Sequence, residues 1–240
     1  MLERTVSSAI KYRRSIRIFQ KTKLDDEKVK GCIYNATLAP NSSNLQLWEF
    51  IQVTDSSYLK KLSKACMSQN AASTASQLVV IVTRKDLWGK RAKQNVQFLR
   101  DQFQNHPKKN KRIKTGLKYY TKIIPALYFD FLRIFGLIKY IIFQIIGIFT
   151  PIIRQVSNSN MRIVSHKSAG LAAQNFMISM AAIDYDTCPM EGFDSLMVKK
   201  ILQLPREAEI NMIIACGERE EKGVYGPQFR VPFEMVYKYI

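Results

Sequence analysis

At 240 residues, with 47% apolar and 23% charged side chains, the chain is long enough for one domain with a sizeable core, and its sparse glycine and proline exclude broad disorder. Thirty-seven lysines and arginines against 19 acids give a net charge of +18, which favours anionic partners, either phosphates or an acidic membrane surface. Cys32, Cys66, Cys188 and Cys216 lie far apart with no CxxC pair, and only His106 and His166 stand beside them; reduced thiols fit this spacing better than a zinc site or a disulfide framework.

The opening MLERTVSSAIKYRRS carries charges throughout and no apolar core, so no signal peptide is read and a cytoplasmic protein is expected. A short amphipathic helix is predicted over residues 2–10. A second helix follows Asp25, a plausible N-cap, and shows one apolar face at Val29, Cys32, Ile33 and Ala36. Residues 48–53 alternate as a strand and residues 77–83 read as a fully buried one, with helical periods over 56–68 and 86–104. Small side chains at Ala169, Gly170, Ala172, Ala173, Ala181 and Ala182 mark a central helix over 166–182. Residues 209–217 form another buried strand, and the tail from Phe229 is extended without a helix signal.

Strands therefore mix with helices in one α+β domain over residues 1–240. Between its halves lies a foreign block, roughly 105–160. It opens with Lys108, Lys109, Lys111, Arg112, Lys114, Lys118 and Lys122, then runs apolar from Ile123 to Ile153, broken by Asp130, Arg133, Lys139 and Gln144. Residues 134–153 are long enough for one span, but the flanking halves must pack on one side of any membrane, and a two-helix hairpin needs about 40 apolar residues. Three readings stay open for the block: helices covering the active site or a dimer surface, a membrane-surface anchor whose lysines touch anionic lipid through residues 108–153, or true insertion.

Four short segments carry chemistry. In RRSIRIF, Arg13, Arg14, Ser15 and Arg17 offer planar guanidinium forks and a hydroxyl to phosphate oxygens; the alternative is a solvated basic turn. In APNSSNLQLWEF, Pro40 stops a helix and Asn41, Ser42 and Asn44 can bond the carbonyls of a flat heterocycle; the alternative is an ordinary Asn/Ser turn. Pro189, Met190, Glu191 and Gly192 can form a turn whose amides face a cavity, or a plain connection between helices. Arg230 can close on a phosphate, or sit on an exposed tail. No GxGxxG follows a strand, and no GxxxxGK[ST] or HExxH occurs, so a Rossmann site, a P-loop and a zincin are unsupported. Nothing matches a helix-turn-helix, RNA-recognition or zinc-finger signature, which argues against nucleic acid despite the charge.

In order and spacing, these four segments resemble the nitroreductase family of FMN enzymes, over about residues 9–104 and 165–235. RRSIRIF is similar to its opening Arg-Arg-Ser-x-Arg-x-Phe, APNSSNLQLWEF to its Ala-Pro-Ser-x-x-Asn-x-Gln-Pro-Trp-x-Phe, and PMEGFD to its Pro-x-Glu-Gly-Phe turn. Leu47 replaces the proline before Trp48, and Gln228 stands where many members carry lysine.

The resemblance implies a mostly antiparallel sheet flanked by helices and an intertwined homodimer with two flavins at its interface. It implies that Arg13, Arg14, Ser15, Arg17 and Arg230 hold FMN, with Gln69 at the pyrimidine edge. Asn41, Ser42 and Asn44 would reach the flavin of the other subunit, and the Glu191 amide would face flavin N5 with Gly192 beside it. It further implies a ping-pong cycle in which NAD(P)H reduces the flavin and a nitroaromatic, quinone or similar acceptor reoxidises it. No side-chain nucleophile, general base or metal is expected. A non-catalytic or differently specialised membrane-peripheral flavoprotein of the same fold is the competing reading.

Overall fold

The computed structural model describes residues 3–105, 110–129 and 134–240; His106, Lys108, Lys109, Asp130, Arg133 and the first residue of the helix expected over 2–10 lie outside these. That first helix, α1, runs Val6–Tyr12, capped by Thr5 through Ser8. Helix α2 (Asp26–Thr37) starts where expected: the Asp25 carboxylate accepts from the amides of Glu27 and Lys28. Strand β1 (Trp48–Val53) leads to α3 (Ser56–Ala65), α4 (Asn70–Thr74) and β2 (Gln77–Thr83).

Helix α5 (Trp88–Asn105) fills the helical period expected over 86–104 and leads into the block, which holds α6 (Asn110–Lys118), a π-helical turn (Tyr119–Ile123), α7 (Ile124–Tyr128) and α8 (Ile134–Phe149). The long α9 (Asn158–Ala182) begins eight residues earlier than the small-residue stripe indicated, because Ser157 caps it through the Asn160 amide. The chain then forms β3 (Asp186–Met190), α10 (Ser195–Ile201), β4 (Glu209–Gly217) and α11 (Phe233–Val236). Strand β3 and the four-residue α11 are corrections: residues 188–190 belong to a strand rather than to a turn or a helix-to-helix connection, and the tail is not extended throughout.

The sheet has order β1-β2-β4-β3 with every pair antiparallel. Burial explains the patterning. Strand β2 is central and buried along its whole length, so it reads as an unbroken apolar run rather than an alternation. Its odd and even residues nevertheless part: Leu78, Val80 and Val82 pack with α3 and α10 residues on one face, and Val79 and Ile81 with α2 and α9 on the other. The small residues of α9, Ala169, Ala172 and Ala173, are fully buried and let that helix approach α2 closely. Pro189 is tolerated because β3 is an edge strand of this sheet.

The block folds against the rest through its first half. Ile124 is fully buried with Leu45, Leu47 and Ala92. Gly116 of α6 faces Leu99 of α5, where a Cβ would come within 3.0 Å of the leucine. Among the described residues no helix is long and apolar enough to cross a membrane.

Candidate functional site

Three separated stretches build one cleft. Tyr12 ends α1 sandwiched between two guanidinium groups, Arg4 at 3.9 Å and Arg219 at 4.1 Å from its ring centre. Arg219 is itself fixed by the buried Asp186, with Nη2 2.5 Å from Oδ1. Past this anchor the chain runs along β3: Ser15 bridges Thr187, and the Ile16 amide donates to the Thr187 carbonyl at 3.1 Å. The Arg17 amide donates to the Gly223 carbonyl at 2.8 Å. Gly223 admits no side chain, since a Cβ would collide with the Ile18 carbonyl oxygen.

This registration sets Arg13, Arg14, Ser15 and Arg17 against residues 225–230, enclosing about 400 Å³ with Arg230 on the opposite wall. A second hollow of about 410 Å³, lined by Arg17, Ser68, Gln69, Asn70 and Ala71, shares Arg17 and Tyr225 with the first. Gln69 donates to the Gly192 carbonyl at 2.8 Å, which ties the end of β3 to the same place.

The charge balance is one-sided. Arg14 donates to the Gly226 carbonyl at 2.7 Å and Arg230 to the Phe229 carbonyl at 2.6 Å. Among the described residues, however, no carboxylate pairs with Arg13, Arg14, Arg17 or Arg230. Burial, and then the neighbouring Arg230, lowers the pKa of Arg13, with Cys188 pulling the other way and Arg14 adding to the decrease. A cluster of like charges in a partly desolvated cleft is relieved by an anion.

The other expected site residues divide. Glu191 and Gly192 are exposed just beyond β3. Met190 sends its side chain into the core, and none of Pro189, Met190, Glu191 and Gly192 lines either hollow. Pro40, Asn41, Ser42 and Asn44 do not line the arginine cleft. They form a separate loop locked by its own bonds: Asn41 Oδ1 accepts from the Gln46 amide at 2.9 Å, and Asn44 exchanges bonds with Asn95 at 3.2 and 3.0 Å. The block reaches this loop. The Ser43 and Tyr119 hydroxyls are 2.6 Å apart, and the Tyr120 hydroxyl donates to the Ser43 carbonyl at 2.9 Å.

Backbone strain marks the same two places. Of seven non-glycine residues with left-handed φ among the described residues, five are Ser43, Asn44 and Gln46 of the loop and Met67 and Ser68 beside the cleft. Each such residue costs on the order of 1 kcal/mol, and strain of this kind concentrates at functional sites. Sequence reasoning missed Tyr225, which lines both hollows and accepts from Asn70 at 3.1 Å; its only signal was its nearness to Arg230. It also missed Arg219 and Asp186, whose pairing is not visible without the fold.

Among the described residues, a four-stranded α+β fold with an arginine-lined cleft between its N-terminal turn and C-terminal tail defines the class. A model of the Nitroreductase family matches residues 10–218, and the chain belongs to that family. It is 25% identical to Protein DrgA of Synechocystis sp. over 214 residues, 89% of this chain and 83% of that protein. It superposes on ydfN of Bacillus subtilis with a TM-score of 0.73 at 22% identity, over 98% of both chains. A structure from Exiguobacterium sibiricum, solved in complex with FMN, gives a TM-score of 0.68 at 18% identity over 100% of this chain and 99% of that one. The family match stops short of Arg230, whose place rests on the cleft geometry.

Proposed function

We propose that the chain is an FMN-dependent oxidoreductase that uses NAD(P)H to reduce small oxidised organic acceptors such as nitroaromatics or quinones. The observation that carries this is the gathering of four arginines around one cleft with no carboxylate partner among the described residues. The residues fit a flavin mononucleotide: a dianionic phosphate supplies the missing charge, and the adjoining hollow by Gln69 and Gly192 offers amide donors and acceptors to a flat polar ring. Bound there, the flavin would take hydride from NAD(P)H and pass it to the acceptor in a ping-pong cycle.

The protein's own share is binding and electrostatics. Arg13, Arg14, Ser15 and Arg230 would hold the phosphate and ribityl oxygens. Arg17 stands between the two hollows, where its fixed positive charge favours a ring that becomes more negative on reduction. The main chain at Glu191 and Gly192, held just beyond β3 by the Gln69 bond to the Gly192 carbonyl, would offer an amide to the redox nitrogen. No side chain is asked to act as nucleophile, general base or metal ligand.

The reading includes one domain over residues 1–240, with the block at about 105–160 as an insertion, and a homodimer. Two observations support the dimer. Phe229, Phe233, Met235 and Tyr239 of the tail are between 64% and 90% exposed, an apolar arm suited to a second copy. The loop of Asn41, Ser42 and Asn44 stands apart from its own cleft, as it must to serve a partner's.

The test is FMN titration of purified protein, followed by NADH and NADPH oxidation with nitroaromatic and quinone acceptors. Yellow protein with micromolar FMN affinity is expected, with affinity reduced by Arg13→Ala or Arg230→Ala. A folded protein that refuses FMN would end the assignment.

A further inference from the structure

The apolar helix α8 has no part in the cleft. Its two strongly polar side chains are turned back onto the protein: the Lys139 ammonium donates to the carbonyls of Leu127 at 2.6 Å and Ala126 at 3.0 Å, and Gln144 donates to the Arg154 carbonyl at 3.1 Å. Apart from Tyr140, what remains outside among the described residues is hydrocarbon. Ile138, Ile141, Ile142, Ile145, Ile148 and Phe149 are 47% to 84% exposed. A helix this apolar on several sides needs an apolar medium.

Charge identifies the medium. Between Asp101 and Asp184 the sequence holds one acid, Asp130, against twelve lysines and arginines. Lys114, Lys118 and Lys122 are exposed on the helix and π-turn that run directly into α7, and the end of α7 is where Lys139 ties α8 down. A second copy laid against α8 would bring two such basic segments together, whereas an anionic bilayer neutralises them. Sixteen residues of helix reach about 24 Å, short of the roughly 30 Å of a hydrocarbon core, so α8 lies in the interface rather than across it.

We propose that α8, with the basic stretch before it, docks this protein on the surface of an anionic phospholipid membrane. Docking does not depend on bound flavin, so it stands or falls apart from the reductase reading.

The test is co-sedimentation of the full chain with vesicles of phosphatidylcholine alone or with about a third phosphatidylglycerol. Binding to the anionic vesicles is expected, weakening as salt rises. Combining Ile141→Ser, Ile145→Ser and Ile148→Ser should abolish it. Combining Lys114→Gln, Lys118→Gln and Lys122→Gln should lower it by roughly a hundredfold. Should the serine variant fail to fold, Ile145→Trp gives the answer: its emission shifts to the blue on anionic vesicles if α8 enters the interface. Wild-type protein that stays in the supernatant, undiminished binding by the serine variant, or an unshifted Ile145→Trp spectrum each overturns the proposal. So does wild-type protein that ignores vesicles but loses a higher oligomer when α8 is made polar, which would make the occupant a second copy.

Discussion

The charge of Arg230 adds to burial in raising the cost of charging Arg13, and neither arginine has a carboxylate partner among the described residues. Losing one charge-assisted contact to an anion costs about 1.5–3 kcal/mol, so Arg13→Ala should weaken FMN binding by roughly tenfold to a hundredfold, measured by quenching of flavin fluorescence. Thermal stability in the absence of ligand should hold or rise, because a repulsion has been removed; a large fall would mean that Arg13 is structural instead. The cysteines give a second residue-scale expectation. All four are buried and free, and burial pushes the thiols of Cys66 and Cys32 up to about 11 and about 12. A thiol reagent at neutral pH should therefore find none in native protein and four after denaturation. Glu209 adds a pH signature. Burial pushes it up, but hydrogen bonds from His166 and Arg162 together outweigh that and leave its pKa below the ordinary glutamate range. A depressed folded-state pKa contributes stability above the unfolded value and loses it as pH falls through the folded one. Glu209→Gln should accordingly melt below wild type at neutral pH, with the gap closing in acid; a gap constant down to acid pH would refute the pairing.

Among the elements, the π-helical turn, α7 and the Asn41–Gln46 loop are one packing unit. Leu47, where the family resemblance leads one to expect proline, is 4% exposed and clusters with Ile124 of the block. A proline there would offer less apolar surface to that cluster, so Leu47 suits the contact with α7. Tyr119 and Tyr120 extend the connection by hydrogen bonds to Ser43. Removing both hydroxyls, Tyr119→Phe with Tyr120→Phe, should cost about 1–3 kcal/mol in total. It should also alter the ratio of kcat/KM between a small and a bulky acceptor while leaving FMN affinity near wild type. Equal changes for every acceptor would argue against a role of the block in choosing what reaches the flavin. How much of this was legible in sequence differs by element. Helix α2, β1, β2 and β4 were readable because cap chemistry and apolar runs are local signals. Strand β3 was not: five residues containing a proline show no strand pattern, and its pairing with β4 is what makes it a strand.

For the molecule as a whole, the exposed apolar tail calls for a partner surface. Truncation after Gly226 removes Arg230 and this arm together, and should convert a dimer to a monomer with FMN affinity reduced by at least tenfold, read by light scattering and flavin titration. A truncated protein that stays dimeric would place the dimer contact elsewhere. The amino-acid order alone determined the α+β class, the burial of the central strands and the four motif segments, because apolar periodicity, capping and turn chemistry act over a few residues. It could not decide that residues 13–17 and 225–230 enclose one cleft, that Asn41 and Ser42 stand away from it, or that α8 keeps its apolar faces exposed. Those depend on contacts between residues more than two hundred positions apart, such as Arg14 with Gly226, and the chain makes such contacts only when the sheet brings its two ends together.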